Sequence, residues 1–181
     1  TGSDNVFIGM DAGNATTDVD KAVIIGSSSA SADMTSGADG TVGIGYNALN
    51  ALTSGASNTV VGYEGAKGIT TGSYNVVMGY ASLDSADGGE SNNISIGTNA
   101  MGSVNNDASD HNVVIGDSAL LGGTGTVTKN VAIGNNAMGT GVGDNNQTGT
   151  VAIGYDALKA LTSGVNNTAI GYQASQSMTT A

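Results

Sequence analysis

Thr150-Val-Ala-Ile-Gly-Tyr-Asp-Ala-Leu158 and Asn167-Thr-Ala-Ile-Gly-Tyr-Gln-Ala174 are one phrase written twice, and the same phrase recurs along the whole chain. Its central glycine falls at Gly9, Gly26, Gly45, Gly62, Gly79, Gly97, Gly116, Gly134, Gly154 and Gly171, with gaps of 17 to 20 residues and a mean of 18. A unit this short cannot enclose a core of its own, so neighbouring copies must stack. The period predicts an all-β fold: a parallel β-solenoid of ten coils of about 18 residues, forming a single repeat domain over residues 1–181.

The residues around each glycine fall into columns. One place before it stand Ile8, Ile25, Ile44, Val61, Met78, Ile96, Ile115, Ile133, Ile153 and Ile170; two places further back stand Val6, Val23, Val42, Thr59, Val76, Ile94, Val113, Val131, Val151 and Thr168. Alternate residues of a strand share a face, so these two columns read as the inward stripe of a short strand. The column between them (Phe7, Ile24, Gly43, Val60, Val77, Ser95, Val114, Ala132, Ala152, Ala169) then points outward, yet it is also mostly apolar. A strand that is apolar on both faces calls for a second covering layer, and for one repeating chain that layer is another copy of itself, which predicts a homo-oligomer.

The other columns describe turns. Three residues after the glycine the chain is small, as at Ala48, Ala100 and Ala157, and Leu or Met often follows, as at Leu49, Met101 and Leu158. The glycine then marks a corner where a side chain would clash or φ must be positive. Four residues before it stands Asn in seven coils, Asn5, Asn58, Asn75, Asn93, Asn112, Asn130 and Asn167, and stacked amides at a turn form a structural ladder. Met34-Thr-Ser-Gly37, Leu52-Thr-Ser-Gly55, Ile69-Thr-Thr-Gly72 and Leu161-Thr-Ser-Gly164 read as the far turn of the coil. Extra residues gather between that turn and the next Asn, in the stretches 84–90, 107–110 and 139–149, which marks a solvated loop edge where recognition usually resides.

Composition narrows the function. Fifteen acidic residues against four lysines or arginines give a net charge of −11, which disfavours nucleic acid and anionic membrane surfaces as partners. There is no cysteine, and His111 is the one histidine, so a thiolate metal site is excluded and a nucleophile triad would have to use that single ring. The expectation is a protein that is not an enzyme and carries no cofactor, with His111 a loop residue just before a strand. No apolar run reaches membrane-spanning length and no charged-then-apolar leader opens the chain, so neither a span nor a signal peptide is expected in it. The acidic pairs Asp18 with Asp20 and Asp107 with Asp110 lack EF-hand spacing and read as solvated charge. Asn-x-Ser/Thr triplets begin at Asn14, Asn93, Asn146 and Asn166, as a chain rich in these residues produces by chance.

Tyr46, Tyr63, Tyr80, Tyr155 and Tyr172 directly follow corner glycines and should stack in two vertical runs, a packing feature that could also bind sugars. The chain shows no polar cap at either end, and joining its last residue to a second copy would keep the glycine spacing in range, as in a longer array or an end-to-end filament.

The phrases at 150–158 and 167–174, with Asn130-Val-Ala-Ile-Gly-Asn-Asn-Ala-Met138, resemble the head repeats of trimeric autotransporter adhesins and related repeats of bacteriophage tail-fibre proteins. The resemblance covers nearly the whole chain, although the coil is longer than the typical adhesin repeat and the Tyr-x-Ala-Leu continuation is nearer the phage fibres. It implies a left-handed β-roll, three chains packed side by side, located outside the cell on a virion fibre or bacterial surface. The function it implies is a rigid shaft that presents loops to a host glycan or protein receptor. Two alternatives stand beside it: a self-assembling extracellular filament, and an ice-binding face, for which the Thr-Ser and Thr-Thr pairs are too sparse.

Overall fold

The computed structural model describes residues 2–139 and 146–180. Among the described residues thirteen short strands follow one another: β1 (Val6–Ile8), β2 (Val23–Ile25), β3 (Val42–Ile44), β4 (Thr59–Val61), β5 (Val76–Met78), β6 (Ile94–Ile96), β7 (Val113–Ile115), β8 (Val127–Thr128), β9 (Val131–Ile133), β10 (Gln147–Thr148), β11 (Val151–Ile153), β12 (Gly164–Val165) and β13 (Thr168–Ile170). The ten strands that precede the corner glycines form one parallel sheet in the order β1-β2-β3-β4-β5-β6-β7-β9-β11-β13. Equivalent residues pair from coil to coil, from Val6 with Val23 to Ile153 with Ile170. The molecule is a parallel β-solenoid whose rungs keep register through coils of unequal length.

Register survives because the extra residues leave the coil at one corner. There the sequence predicts only loops, and the structure adds a second parallel sheet, β12-β10-β8, one step before the main strands. The far turns stack as well: the amide of Thr35 donates to the carbonyl of Thr53 (2.8 Å), and that of Thr53 to Thr70 (2.9 Å). Of the stretch 139–149, residues 140–145 lie outside the described residues.

The inward face of the strands is the reverse of the sequence expectation. In β4, β5 and β13 the middle residue is buried and both flanking residues are exposed. Ile24, Val60, Val77, Val114, Ala132 and Ala152 point into the coil, whereas the Val and Ile columns on either side form the outer face. A three-residue strand lends only one side chain to the interior, and the opposite wall lies close. That wall supplies the bulk: Leu49, Met101, Leu120, Met138 and Leu158 are fully buried, as are Leu52, Ile69 and Leu161 of the far turns. The inner column must therefore vary in size. At Gly43 an added Cβ would already meet Ile24 and Leu49 side chains at 3.3 Å. Polar Ser95 is accommodated in the same column by Ser82, the two hydroxyl oxygens lying 2.8 Å apart.

The wall opposite the sheet has an unusual backbone. The second and fourth residues past each corner are left-handed in most coils, as at Asn47 (φ 52°) and Leu49 (φ 54°), or Asn99 (φ 51°) and Met101 (φ 52°). Such residues cost about 1–2 kcal/mol each when they are not glycine. The alternation aims successive amides at opposite neighbours: Asn47 donates to Ser27 in the preceding coil (3.1 Å) and Leu49 to Gly65 in the following one (3.0 Å). Satisfied amides and a buried Leu side chain offset the strain.

Candidate functional site

The ten corner glycines lie one above another with φ between 128° and 158°. A Cβ on Gly45 would sit 2.1 Å from the carbonyl oxygen of Gly62, and one on Gly97 2.4 Å from that of Gly116. Both constraints exclude a side chain, so this column sets the coil spacing.

Five of the seven predicted Asn residues form a continuous ladder. The Asn58 Oδ1 accepts from the backbone N–H of Asn75 (3.0 Å) and from its Nδ2 (3.0 Å); Asn75 Oδ1 accepts from the Asn93 amide, Asn93 Oδ1 from Asn112, and Asn112 Oδ1 from Asn130. The ladder ends at the amide of Thr150, which donates to Asn130 Oδ1 (2.9 Å). Each Nδ2 also donates to a turn carbonyl, as Asn75 does to Glu90 (2.8 Å) and Asn93 to Ser109 (2.9 Å). Asn5 makes the equivalent bond to the amide of Ala22 (2.8 Å). Asn167 lies beyond Thr150, and its buried Nδ2 has no hydrogen-bond partner.

A second ladder went unread in the sequence. Six residues before the corner glycine, Ser and Asp side chains accept the backbone N–H of the coil before: Asp39 from Asp20 (2.8 Å), Ser73 from Ala56 (3.0 Å), Ser91 from Ser73 (3.0 Å) and Asp110 from Ser91 (2.7 Å). Asp20 accepts from Ser3 in the same way, which holds its carboxyl below the usual range. Asp18 accepts from Ser36 (2.8 Å). Asp18, Asp20 and Asp110, expected as free solvated charge, therefore stitch coils together. The recurrence of Ser or Asp at this offset was the available signal.

The tyrosines stack in the two expected runs. Ring centroids of Tyr46 and Tyr63 are 5.0 Å apart, of Tyr63 and Tyr80 5.3 Å, and of Tyr155 and Tyr172 5.4 Å. All five are exposed, so the stacked rings form two aromatic runs on the surface. Desolvation between its neighbours, reinforced by Glu64, raises the Tyr63 phenol above its ordinary pKa.

Acidic residues meet at the lengthened corner. Asp87 and Glu90 lie between β5 and β6, Asp107 between β6 and β7, and one carboxylate oxygen of each lies within 4.8 Å of the others. Asp87 and Asp107 are exposed, but Glu90 is fully buried, which corrects the expectation that 84–90 is solvated throughout. Burial raises the Glu90 pKa, with Asp107 and Asp87 adding to the effect; burial likewise raises that of Asp84. His111 is an exposed residue before β7 with φ 62°, its amide bonded to the Ser91 carbonyl (3.2 Å). Of the glycosylation triplets, Asn93 is buried in its ladder, whereas Asn14, Asn146 and Asn166 are exposed.

The outer strand face is an extended apolar surface. Val6, Ile8, Val61, Val76, Met78, Ile94, Ile115 and Ile170 are all exposed, and every rung adds to this apolar stripe. No helix among the described residues is long and apolar enough to cross a membrane. Compared with known proteins, the chain matches no family model, no curated protein and no solved structure.

Proposed function

We propose that this chain is a section of a rigid extracellular shaft, belonging to a phage tail fibre or a bacterial surface adhesin, built as a left-handed, side-by-side homotrimer. The observation that carries the reading is the outer apolar stripe. Ten rungs at about 4.8 Å extend it to roughly 48 Å, and a soluble chain rarely leaves so long a strip of Val and Ile uncovered. Side-by-side packing of three copies shields it and adds lateral bonding to a rod already tied along its axis. Loops at the lengthened corner and the tyrosine runs then face outward towards a host glycan or protein receptor. Catalysis has no part in this function.

Equilibrium ultracentrifugation tests the assembly. A species three times the 17.5 kDa chain mass is expected. Ile115→Lys, placing a charge on the exposed stripe, should yield a folded monomer; a wild-type chain that is a stable folded monomer overturns the trimer. An end-to-end filament, in which the edge strand of one copy pairs with that of the next, is the second reading. Electron microscopy of concentrated protein separates it from discrete rods.

A further inference from the structure

Glu90 stands in a column where every other residue is uncharged. Three places before the ladder residue, successive coils carry Gly2, Val19, Ala38, Gly55, Gly72, Glu90, Ser109, Val127, Gln147 and Gly164. Most of these residues are buried, and Glu90 is completely so. Its Oε2 accepts from the Gly88 amide at a long 3.3 Å, and its Oε1 has no hydrogen-bond partner. A buried carboxylate oxygen without a donor is strongly unfavourable unless something positive or protonated meets it. The ion pairs of Lys67 with Glu64 and Lys159 with Asp156 do not involve it.

Two more carboxylates come to the same point. Asp87 and Asp107 bring oxygens within 4.8 Å of that of Glu90, from two successive coils. Asp87 is held in place by Asn105, whose side-chain nitrogen, with the amide turned to face the carboxylate, donates to Oδ1 (2.6 Å) and Oδ2 (3.1 Å). The Gly89 amide reaches Asp107 Oδ1 at 3.4 Å. Glycine at 88 leaves room for this approach, since a Cβ there would collide with the Asp107 carboxylate.

We propose that Asp87, Glu90 and Asp107 form a calcium site that joins two consecutive coils at the lengthened corner. The donors are all oxygen, which selects a hard cation over zinc or copper. Calcium takes oxygens at about 2.3–2.6 Å in a flexible geometry, so its ligands can stand almost 5 Å apart, a range the three carboxylates fit, whereas magnesium demands a near-ideal octahedron. The ion meets the orphaned Oε1, balances most of the local negative charge and draws on the two exposed aspartates for entry from solvent. Its structural effect is to clamp the loop preceding β6 to the loop preceding β7.

Isothermal titration of calcium chloride into the chelator-treated full chain tests the site. One ion per chain is expected, with Kd of about 10⁻⁴–10⁻³ M, typical of extracellular modules, and a higher melting temperature in calcium than in chelator. Asp107→Asn, at an exposed position, should weaken binding at least tenfold without lowering the melting temperature in chelator. Glu90→Gln should abolish the calcium response and melt no lower than wild type in chelator, because a buried neutral amide replaces an unpaired charge. Asp33→Asn, an exposed acid outside the cluster, should leave the isotherm unchanged. No calcium heat with wild type, an isotherm unaltered by both cluster variants, or an equal loss with Asp33→Asn would each overturn the proposal.

Discussion

At the scale of single residues, the corner glycines separate steric exclusion from backbone strain. Gly97 and Gly171 share the same φ region, but an added Cβ at Gly97 strikes the Gly116 carbonyl, whereas at Gly171 it meets nothing within 4 Å. Gly171→Ala should therefore cost about 1–3 kcal/mol from strain alone, and Gly97→Ala clearly more, as read from urea denaturation midpoints. Asn93→Ala strands the buried amide of Asn112 and the carbonyl of Ser109, at about 1–3 kcal/mol for each unpaired group. Its melting temperature should fall well below that of Asn14→Ala, an exposed position. The tyrosine run gives a spectroscopic check. Stacking withdraws water from Tyr63, so its phenol should ionise above the ordinary value of 10.0 in an alkaline absorbance titration, and removing Tyr46 and Tyr80 should bring it back down.

At the scale of the element, the strand shows what a sequence pattern can and cannot decide. The period placed all ten strands of the main sheet, the corner glycines and the tyrosine stacks, because each depends only on spacing along the chain. It did not decide which face of the strand is interior, since both faces are apolar and alternation carries no sign. Volume decides it: the column containing Gly43, Ser95 and Ala132 is inside because Leu and Met from the opposite wall already fill the coil. Ala152→Ile should consequently overpack the coil and cost about 1–3 kcal/mol in denaturation, although isoleucine is the better strand former. The convergence of Asp87, Glu90 and Asp107 was equally hidden, because Asp107, seventeen or more positions from the other two, becomes their neighbour only when loop conformations are known.

Across the whole molecule, bonds run between adjacent coils, so stability is close to a sum of coil terms and nearest-neighbour terms. Deleting residues 59–75 removes one complete period and leaves Asn58 followed by Val76-Val-Met-Gly79, the same phrase in register. The shortened chain should keep its β-sheet circular dichroism and melt in one transition at a modestly lower temperature. A deletion of eight residues from the same start, breaking the period within one coil, should weaken that spectrum and lower the melting temperature well below that of the whole-period deletion.

The asparagine ladder also has a direction. Each side-chain Oδ1 receives the amide of the coil that comes later in the sequence, from Asn58 with Asn75 to Asn130 with Thr150. A polypeptide leaves the ribosome with its amino end first, so every finished turn already displays the acceptor its successor needs. Assembly can keep pace with translation, each newly emerged segment adding to a template that is never more than one turn old.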